Sequence, residues 1–216
     1  DVGESRGYFY DRNLKPLVNR EERTALAVAP TPAAIEALKE TLPQDQFEES
    51  LAILQNQKPM VIAVPSLPAH QGDGVMPFRL PVRYQRDQPA GHLLGYTDAS
   101  GTGVSGLEKG YDAQLDRWGG KIQVKYLVNA SGRVISEEAQ EVRDTLSDAR
   151  GGVVLTLDRE IQELAEECME EVPKGACVVM KAGTGEILAM ASRPTFDVNN
   201  PAAALDSPDS PFFNRA

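Results

Sequence analysis

The sequence is poor in histidine and cysteine, which restricts the metal and nucleophile chemistry open to it. Its 216 residues include two cysteines, Cys168 and Cys177, and two histidines, His70 and His92. No familiar zinc-ligand spacing is present, and two histidines are too few to make a Ser-His triad a good fit. Each cysteine lies in an apolar pattern, so we expect buried free thiols rather than a disulfide.

Basic charge and long apolar runs are also lacking. The formal net charge of −10 argues against a general nucleic-acid binder. No apolar run approaches the ~18 residues of a membrane helix, and the first residues do not have the pattern of a signal peptide. The chain opens with Asp-Val-Gly-Glu and no Met, so we expect it to be a piece of a longer protein.

What is present is an ordinary globular composition, with 41% hydrophobic and 25% charged residues. The apolar spacing predicts two consecutive helices, with Thr31 as the N-cap of the first. Alternating patterns and turn residues predict several short strands around them. The predicted helices are 31–42, 43–56 and 106–117, and the predicted strands are two within 6–18, then 60–64, 78–84, 92–97, 121–128 and 133–136.

The pattern changes near residue 150, where we place a domain boundary. Val153–Leu157 reads as a strand, Asp158 as an N-cap, and 176–191 as a hairpin with a turn at Lys181–Gly185. The helix between them has the clearest 3.6-residue period in the chain. Its predicted buried face consists of Ile161, Leu164, Ala165, Cys168, Met169 and Val172. The fold class we predict is α+β.

A glycine loop at 101–106, Gly-Thr-Gly-Val-Ser-Gly, matches the dinucleotide-binding pattern G-x-G-x-x-G. The preceding loop is long and polar, and no acid ends the next strand, so we favour a plain glycine loop. Ser-x-x-Lys, the motif of a serine nucleophile with a lysine base, is absent from the sequence. We therefore expect no catalytic residue, no cofactor and no metal site in these residues.

Three stretches, taken in order, resemble the class B penicillin-binding proteins. The first is Arg6-Gly-Tyr-Phe-Tyr-Asp-Arg-Asn13. The second is Arg83-Tyr84, then Ala90-Gly-His-Leu-Leu-Gly-Tyr96 and the run from Gly103 to Leu115. The third is Leu155–Asp158 with Ile161-Gln162, followed by 175–197. Leu14, where the family usually has glycine, and Asp116–Gly120 depart from the pattern and leave the subfamily open.

The resemblance implies a β-rich N-terminal pedestal at 1–150 with a helical head at about 31–56. It implies that 151–216 begin a transpeptidase α/β sandwich, with only its first strand, helix and hairpin, and stop shortly before the catalytic serine. In this family a serine in Ser-x-x-Lys performs acyl transfer in D-Ala-D-Ala transpeptidation. The fragment would then be inactive alone and would position the transpeptidase.

The resemblance further implies interlocking pedestal motifs, in which Arg6, Asp11, Arg12 and Glu108 are expected to form ion pairs. The residues we place in these motifs are Arg6, Gly7, Asp11, Arg12, His92, Gly95, Gly106, Glu108 and Tyr111. The implied partners are the rest of the transpeptidase domain, a lipid-linked glycan polymerase or divisome and elongasome proteins, and the membrane through a preceding anchor. The implied location is the extracytoplasmic face of the bacterial membrane.

Two alternatives stay open from sequence. The chain is one polypeptide of a two-chain enzyme, or it is an independent protein- or nucleotide-binding module that uses the loop at 101–106.

Overall fold

The computed structural model describes residues 1–68 and 73–216, with the main chain alone at 136–140. The chain folds into two compact units, each built from three separate segments. The first unit contains 1–5, 22–81 and 120–149, and the second contains 6–21, 82–119 and 150–216. The chain passes from the first unit to the second between 149 and 150, but the second unit also contains 6–21 and 82–119. The assignment of 1–150 and 151–216 to two domains stays a prediction.

The first unit combines two small sheets with a helical hairpin. One sheet has the strand order β4-β3-β5, and the other has the order β1-β6-β7. The elements are β1 (Gly3–Ser5), β3 (Glu21–Val28), α1 (Pro32–Thr41), α2 (Gln44–Gln55), β4 (Met60–Val64), β5 (Val75–Val82), β6 (Gly120–Val128) and β7 (Val134–Asp144).

The helical hairpin confirms the prediction for 31–56. Thr31 Oγ accepts a hydrogen bond from the Ala34 N–H at 3.0 Å, and Pro32 occupies the first turn, where its missing N–H costs nothing. Both helices pack onto β3 through a buried apolar cluster that includes Leu38, Phe47 and Leu54. The strand β3 lacks an alternating pattern, because four consecutive residues at its end are buried. Sequence analysis left it unassigned.

The second unit carries the strand, helix and hairpin predicted after residue 150. A short parallel pair joins β2 to β8, and the antiparallel hairpin joins β9 to β10. The elements are β2 (Tyr8–Tyr10), α3 (Gly91–Leu94), α4 (Gly106–Gly110), α5 (Asp112–Arg117), β8 (Gly152–Val154), α6 (Arg159–Cys168), β9 (Gly175–Met180), β10 (Ile187–Arg193) and a 3₁₀ turn (Pro201–Ala204).

Several details of the second unit correct the sequence predictions. The strand predicted at 92–97 is the short helix α3. Ala165 and Met169 are buried and Ile161 packs against them, as predicted. Leu164 is 57% exposed, Val172 is 36% exposed and Cys168 is also exposed, so the predicted buried face of α6 is confirmed only in part. Both cysteines are free, as predicted, but Cys168 is not buried and Cys177 is half-buried.

The fold class is confirmed as a mixed structure of strands and helices. Within the described residues, no helix has both the length and the apolar character needed to cross a membrane.

Candidate functional site

A fully buried carboxylate, that of Glu108, lies in the second unit. It stands in the first turn of α4 and has no solvent exposure. Its Oε1 accepts hydrogen bonds from Arg83 Nε (2.8 Å), Arg83 Nη2 (2.6 Å) and the Tyr84 hydroxyl (2.9 Å). Its Oε2 lies 3.5 Å from Arg6 Nε. A buried charge requires such partners, because desolvation otherwise makes the charged form very costly.

The two arginines extend this cluster to the main chain of neighbouring segments. Arg83 Nη1 donates to the carbonyl of Gly7 at 2.5 Å. Arg6 Nη1 donates to the carbonyl of Gly101 at 2.6 Å, and Arg6 Nη2 donates to Asp112 Oδ1 at 2.7 Å. The cluster therefore joins three segments that are far apart in sequence: 6–7, 83–84 and 101–112.

The electrostatics of the cluster follow from burial and hydrogen bonding. Burial, and then the neighbouring Glu108 charge, raise the pKa of Tyr84. Its hydroxyl is thus kept as a neutral donor at physiological pH. The Gly103 N–H and the Arg6 guanidinium both donate to Asp112 and lower the pKa of its carboxyl.

Close main-chain packing locks the same region together. Gly95 has φ +79°, and a Cβ built on it would lie 2.0 Å from the Ser105 carbonyl oxygen. Gly106 has φ +56°, and its Cβ would lie 2.5 Å from the Leu93 carbonyl oxygen. Glycine is required at both positions, because any side chain would collide with the facing main chain.

Asp11 and Arg12 have partners other than Arg6 and Glu108. The fully buried Asp11 accepts at Oδ1 from the N–H groups of Asn13 and Lys15, both at 2.8 Å, and at Oδ2 from the Arg159 N–H at 3.2 Å. This turn is thereby tied to the first turn of α6. The Arg12 Nη2 lies 3.5 Å from Glu186 Oε2 in the turn between β9 and β10.

The remaining predicted motif residues lie nearby in the same unit. Gly7 donates its N–H to the Leu115 carbonyl at 2.8 Å. His92 stands on α3, and its Nε2 lies 2.7 Å from the Pro211 carbonyl oxygen. Tyr111 joins α4 to α5 and is 37% exposed. His70 lies outside the described residues.

Sequence analysis missed several residues of this site. Arg83 and Tyr84 were noted as part of a motif, but their contact with Glu108 could not be read from sequence. Asp112 was likewise not selected as a site residue, although its Oδ1 accepts a hydrogen bond from Arg6 Nη2. Short motifs without periodicity do not show which side chains meet, and only the folded chain does so.

A second polar group on α6 was also missed. The Gln162 amide donates to the Met190 carbonyl (3.0 Å) and accepts from the Met190 N–H (2.7 Å), as a neighbouring strand would. Glu166 Oε1 accepts from the Ala90 N–H (2.8 Å) and from Gln162 Nε2 (2.7 Å). Burial raises the pKa of Glu166. These contacts connect β10 to the motif that starts at Ala90.

A small cleft adjoins this group, lined among others by His92, Glu166, Ser192 and Phe196. Its volume of about 40 Å³ is enough for a few waters and too small for a nucleotide or peptide. No group of three or more metal-ligating side chains is found among the described residues.

The loop at 101–106 does not have the geometry that dinucleotide binding requires. It follows helix α3 rather than a strand, and Gly106 opens a helix of only five residues. Asp98 Oδ1 instead accepts from the N–H groups of Ser100 and Thr102 and closes the loop on itself. The pattern G-x-G-x-x-G is therefore a packed glycine turn here.

Comparison with curated proteins gives the relationship. The chain is 29% identical over 123 residues to the peptidoglycan D,D-transpeptidase FtsI of Escherichia coli, covering 54% of this chain and 20% of that protein. It is 31% identical over 148 residues to the probable peptidoglycan D,D-transpeptidase PenA of Neisseria gonorrhoeae, with 61% and 24% coverage. It is 33% identical over 132 residues to the stage V sporulation protein D of Bacillus subtilis, with 57% and 19% coverage.

This chain is a relative of the class B penicillin-binding proteins. The recognition made from the three motifs is confirmed. The chain spans about a fifth of the length of these curated relatives. No family model matches the sequence.

Solved structures of penicillin-binding proteins share the fold. A penicillin-binding protein (PBP2) from Helicobacter pylori matches with a TM-score of 0.53 and 22% identity, covering 99% of this chain and 49% of that one. The same protein in complex with MreC matches with a TM-score of 0.52 and 23% identity, with 98% and 47% coverage. The likeness extends over nearly the whole chain and includes both compact units.

Proposed function

We propose that this chain is the N-terminal, non-catalytic portion of a membrane-anchored penicillin-binding protein. The parent protein cross-links peptidoglycan by serine acyl transfer, and this portion positions its transpeptidase. The proposal is carried by the buried Glu108 cluster, because the motifs typical of class B penicillin-binding proteins supply its Arg6, Arg83 and Tyr84. The relatives named D,D-transpeptidases support the reaction class.

The absence of the nucleophile motif supports a non-catalytic role for these residues. Ser-x-x-Lys, Ser-x-Asn and Lys-Thr-Gly do not occur in the sequence. Ser192 is 4% exposed, and its hydroxyl accepts the Arg215 N–H, which is a structural bond. The sequence Phe213-Asn-Arg-Ala216 resembles the stretch shortly before the serine of the family, so we place the nucleophile after residue 216.

The proposed chemistry is a two-step transfer. The serine oxygen attacks the carbonyl of a D-Ala-D-Ala peptide bond, and the terminal D-Ala leaves with a proton. The amine of a second peptide then attacks the acyl-enzyme and releases the serine. In this proposal the β9–β10 hairpin supplies two strands of the sheet on which that domain is built.

The partners and location follow the same proposal. The solved complex of PBP2 with MreC supports contacts with elongasome or divisome proteins, and the helical hairpin 31–56 is the surface we assign to a lipid-linked glycan polymerase or such a protein. An anchor preceding residue 1 would hold the protein on the extracytoplasmic face of the membrane.

Labelling of the full-length protein tests the reaction class. Purified full-length protein is incubated with a fluorescent penicillin, with and without an excess of unlabelled penicillin, and run on a denaturing gel. We expect one covalently labelled band that the unlabelled drug abolishes. Full-length protein that is folded by circular dichroism but takes up no label would overturn the proposal.

A further inference from the structure

The segment 209–216 is held by the motif around His92, and this contact has no role in the Glu108 cluster. Within the segment, Arg215 donates through Nη2 to the Asp209 carbonyl (2.8 Å) and through Nη1 to the Phe213 carbonyl (3.0 Å), which folds the segment on itself. The contacts of this segment with other parts of the second unit determine its position there.

One side of the segment rests on β10. The Ser192 hydroxyl accepts the Arg215 N–H at 3.0 Å, and Asn214 Nδ2 lies 3.7 Å from the sulfur of Met190. These two contacts hold the segment beside β10, the strand whose Met190 main chain is hydrogen-bonded to Gln162.

The other side rests on the motif Ala90–Tyr96. His92 Nε2 lies 2.7 Å from the Pro211 carbonyl oxygen, so the ring nitrogen must carry the proton that it donates. The Pro194 carbonyl also faces the ring, and burial lowers the pKa of His92. The ring is therefore neutral at physiological pH, and its Nε2 proton is donated to the Pro211 carbonyl.

An aromatic cluster completes this contact. The Phe212 ring lies 4.8 Å from Phe196 and 6.2 Å from Tyr96, and the His92 ring meets Phe196 edge-on at 5.1 Å. Aromatic rings at these distances and angles attract one another beyond the effect of burying their surface. His92 and Tyr96 therefore contact the segment by both a directional hydrogen bond and ring packing.

We propose that His92, with Tyr96, is a positioning residue for the catalytic serine, acting through the segment 209–216. The inference rests on the proposed function, which places the nucleophile after residue 216. It gives the motif at 90–96 a second role, because the motif then holds the segment that leads to the nucleophile as well as supporting the pedestal. His92 touches no reacting atom in this account and acts only through the segment it holds.

The test uses the full-length protein and three variants. His92→Phe keeps a ring against Phe196 but removes the donor to Pro211. His92→Gln restores an N–H at nearly the same distance from the main chain. Leu115→Val is the stability control, because Leu115 lies in the same apolar core but its carbonyl bonds Gly7 rather than the segment.

Two measurements are made on each protein: hydrogen exchange of peptides covering 209–216, and the rate of acylation by a fluorescent penicillin. We expect His92→Phe to speed exchange in this segment and to lower the acylation rate constant about tenfold, with little change in the affinity before acylation. His92→Gln should recover most of the protection from exchange and most of the acylation rate. Leu115→Val should change neither the exchange nor the acylation rate.

Equal exchange and equal acylation in His92→Phe and the unmodified protein would overturn the inference. The inference would also be overturned if His92→Phe and Leu115→Val sped exchange and slowed acylation equally, since that result indicates general destabilisation. If the unmodified protein takes no label, the proposed function fails. The exchange measurement still decides whether His92 holds the segment.

Discussion

At the scale of single residues, the Glu108 carboxylate is the feature with the largest energetic consequence. It is completely buried, and two arginines and a tyrosine hydroxyl surround it. Breaking a buried ion pair leaves an uncompensated charge, whereas exposed pairs are worth little. The sequence resemblance selected Glu108 and Arg6, but not its closest partner, Arg83, because spatial pairing of separate motifs is a property of the folded chain.

Glu108→Gln keeps the shape of the side chain and removes its charge. We expect the free energy of unfolding to fall by about 3–5 kcal/mol, because Arg6 and Arg83 are left facing a neutral amide. Chemical denaturation measures this change in the free energy of unfolding. The matched control is Glu141→Gln, whose exposed pair with Lys125 at 2.6 Å should change stability by less than about 1 kcal/mol. Equal effects of the two substitutions would contradict the role assigned to the buried cluster.

Leu14 shows how a departure from the family pattern is tolerated. It stands where the family usually has glycine, and it adopts φ +61° while 66% exposed. A left-handed conformation costs a non-glycine residue roughly 1–2 kcal/mol. We expect Leu14→Gly to raise the free energy of unfolding by about 0.5–1 kcal/mol, after the entropic cost of glycine in the unfolded chain.

The control for Leu14→Gly is Leu205→Gly. Leu205 is 68% exposed but has an ordinary φ of −61°. Glycine there should lower stability or leave it unchanged. Stabilisation by Leu205→Gly, or destabilisation by Leu14→Gly, would show that strain at residue 14 is not the cause.

At the scale of elements, α6 shows what periodicity can and cannot predict. Its position and N-cap were predicted correctly, and Asp158 accepts from the Glu160 and Ile161 N–H groups. Its buried face was predicted only in part, because Ala165 and Met169 are buried as expected, whereas Gln162 is also completely buried and Leu164 is 57% exposed. A polar residue can be buried when the folded chain satisfies it, and the Met190 main chain does so here. Hydrophobic spacing carries no signal of that kind.

Glu166 on the same helix predicts a pH dependence. Burial raises its pKa in the folded chain above the ordinary value. The folded state therefore holds the proton more tightly than the unfolded state, and stability is lost as pH rises through the folded pKa. We expect Glu166→Gln to gain stability relative to the unmodified chain as pH increases from about 4 to 7, measured by denaturant unfolding at several pH values. A stability difference that does not change with pH would contradict the raised pKa.

The contact between α3 and α4 depends on glycine rather than on side-chain packing. Gly95→Ala would place a Cβ 2.0 Å from the Ser105 carbonyl oxygen, so the two segments must separate. Gly132→Ala is the control, because φ is +74° there and no atom lies within 4 Å of a built Cβ. Gly132→Ala should cost about 1 kcal/mol and Gly95→Ala several times more, measured by thermal unfolding. Similar losses would mean that backbone strain, and not the close approach, explains glycine at residue 95.

At the scale of the whole molecule, two compact units are each assembled from three stretches of chain. Sequence patterns identify contiguous elements, so they predicted the helical hairpin, the strand-helix-hairpin order and the mixed fold class. They placed a single boundary near 150, because composition changes there. The segments 6–21 and 82–119 also belong to the second unit. Hydrogen bonds of Asp11, Arg6 and Arg83 join them to partners 25 to 148 residues away, and no local pattern reveals such pairs.

We propose that these 216 residues position a transpeptidase and do not contain its nucleophile. The most direct measurement is fluorescent penicillin labelling of the isolated chain beside the full-length protein on one denaturing gel. We expect a labelled full-length band and no label at the 23.5 kDa position of the chain. A penicillin-competed band at 23.5 kDa would contradict it, since the chain would then hold a reactive serine of its own.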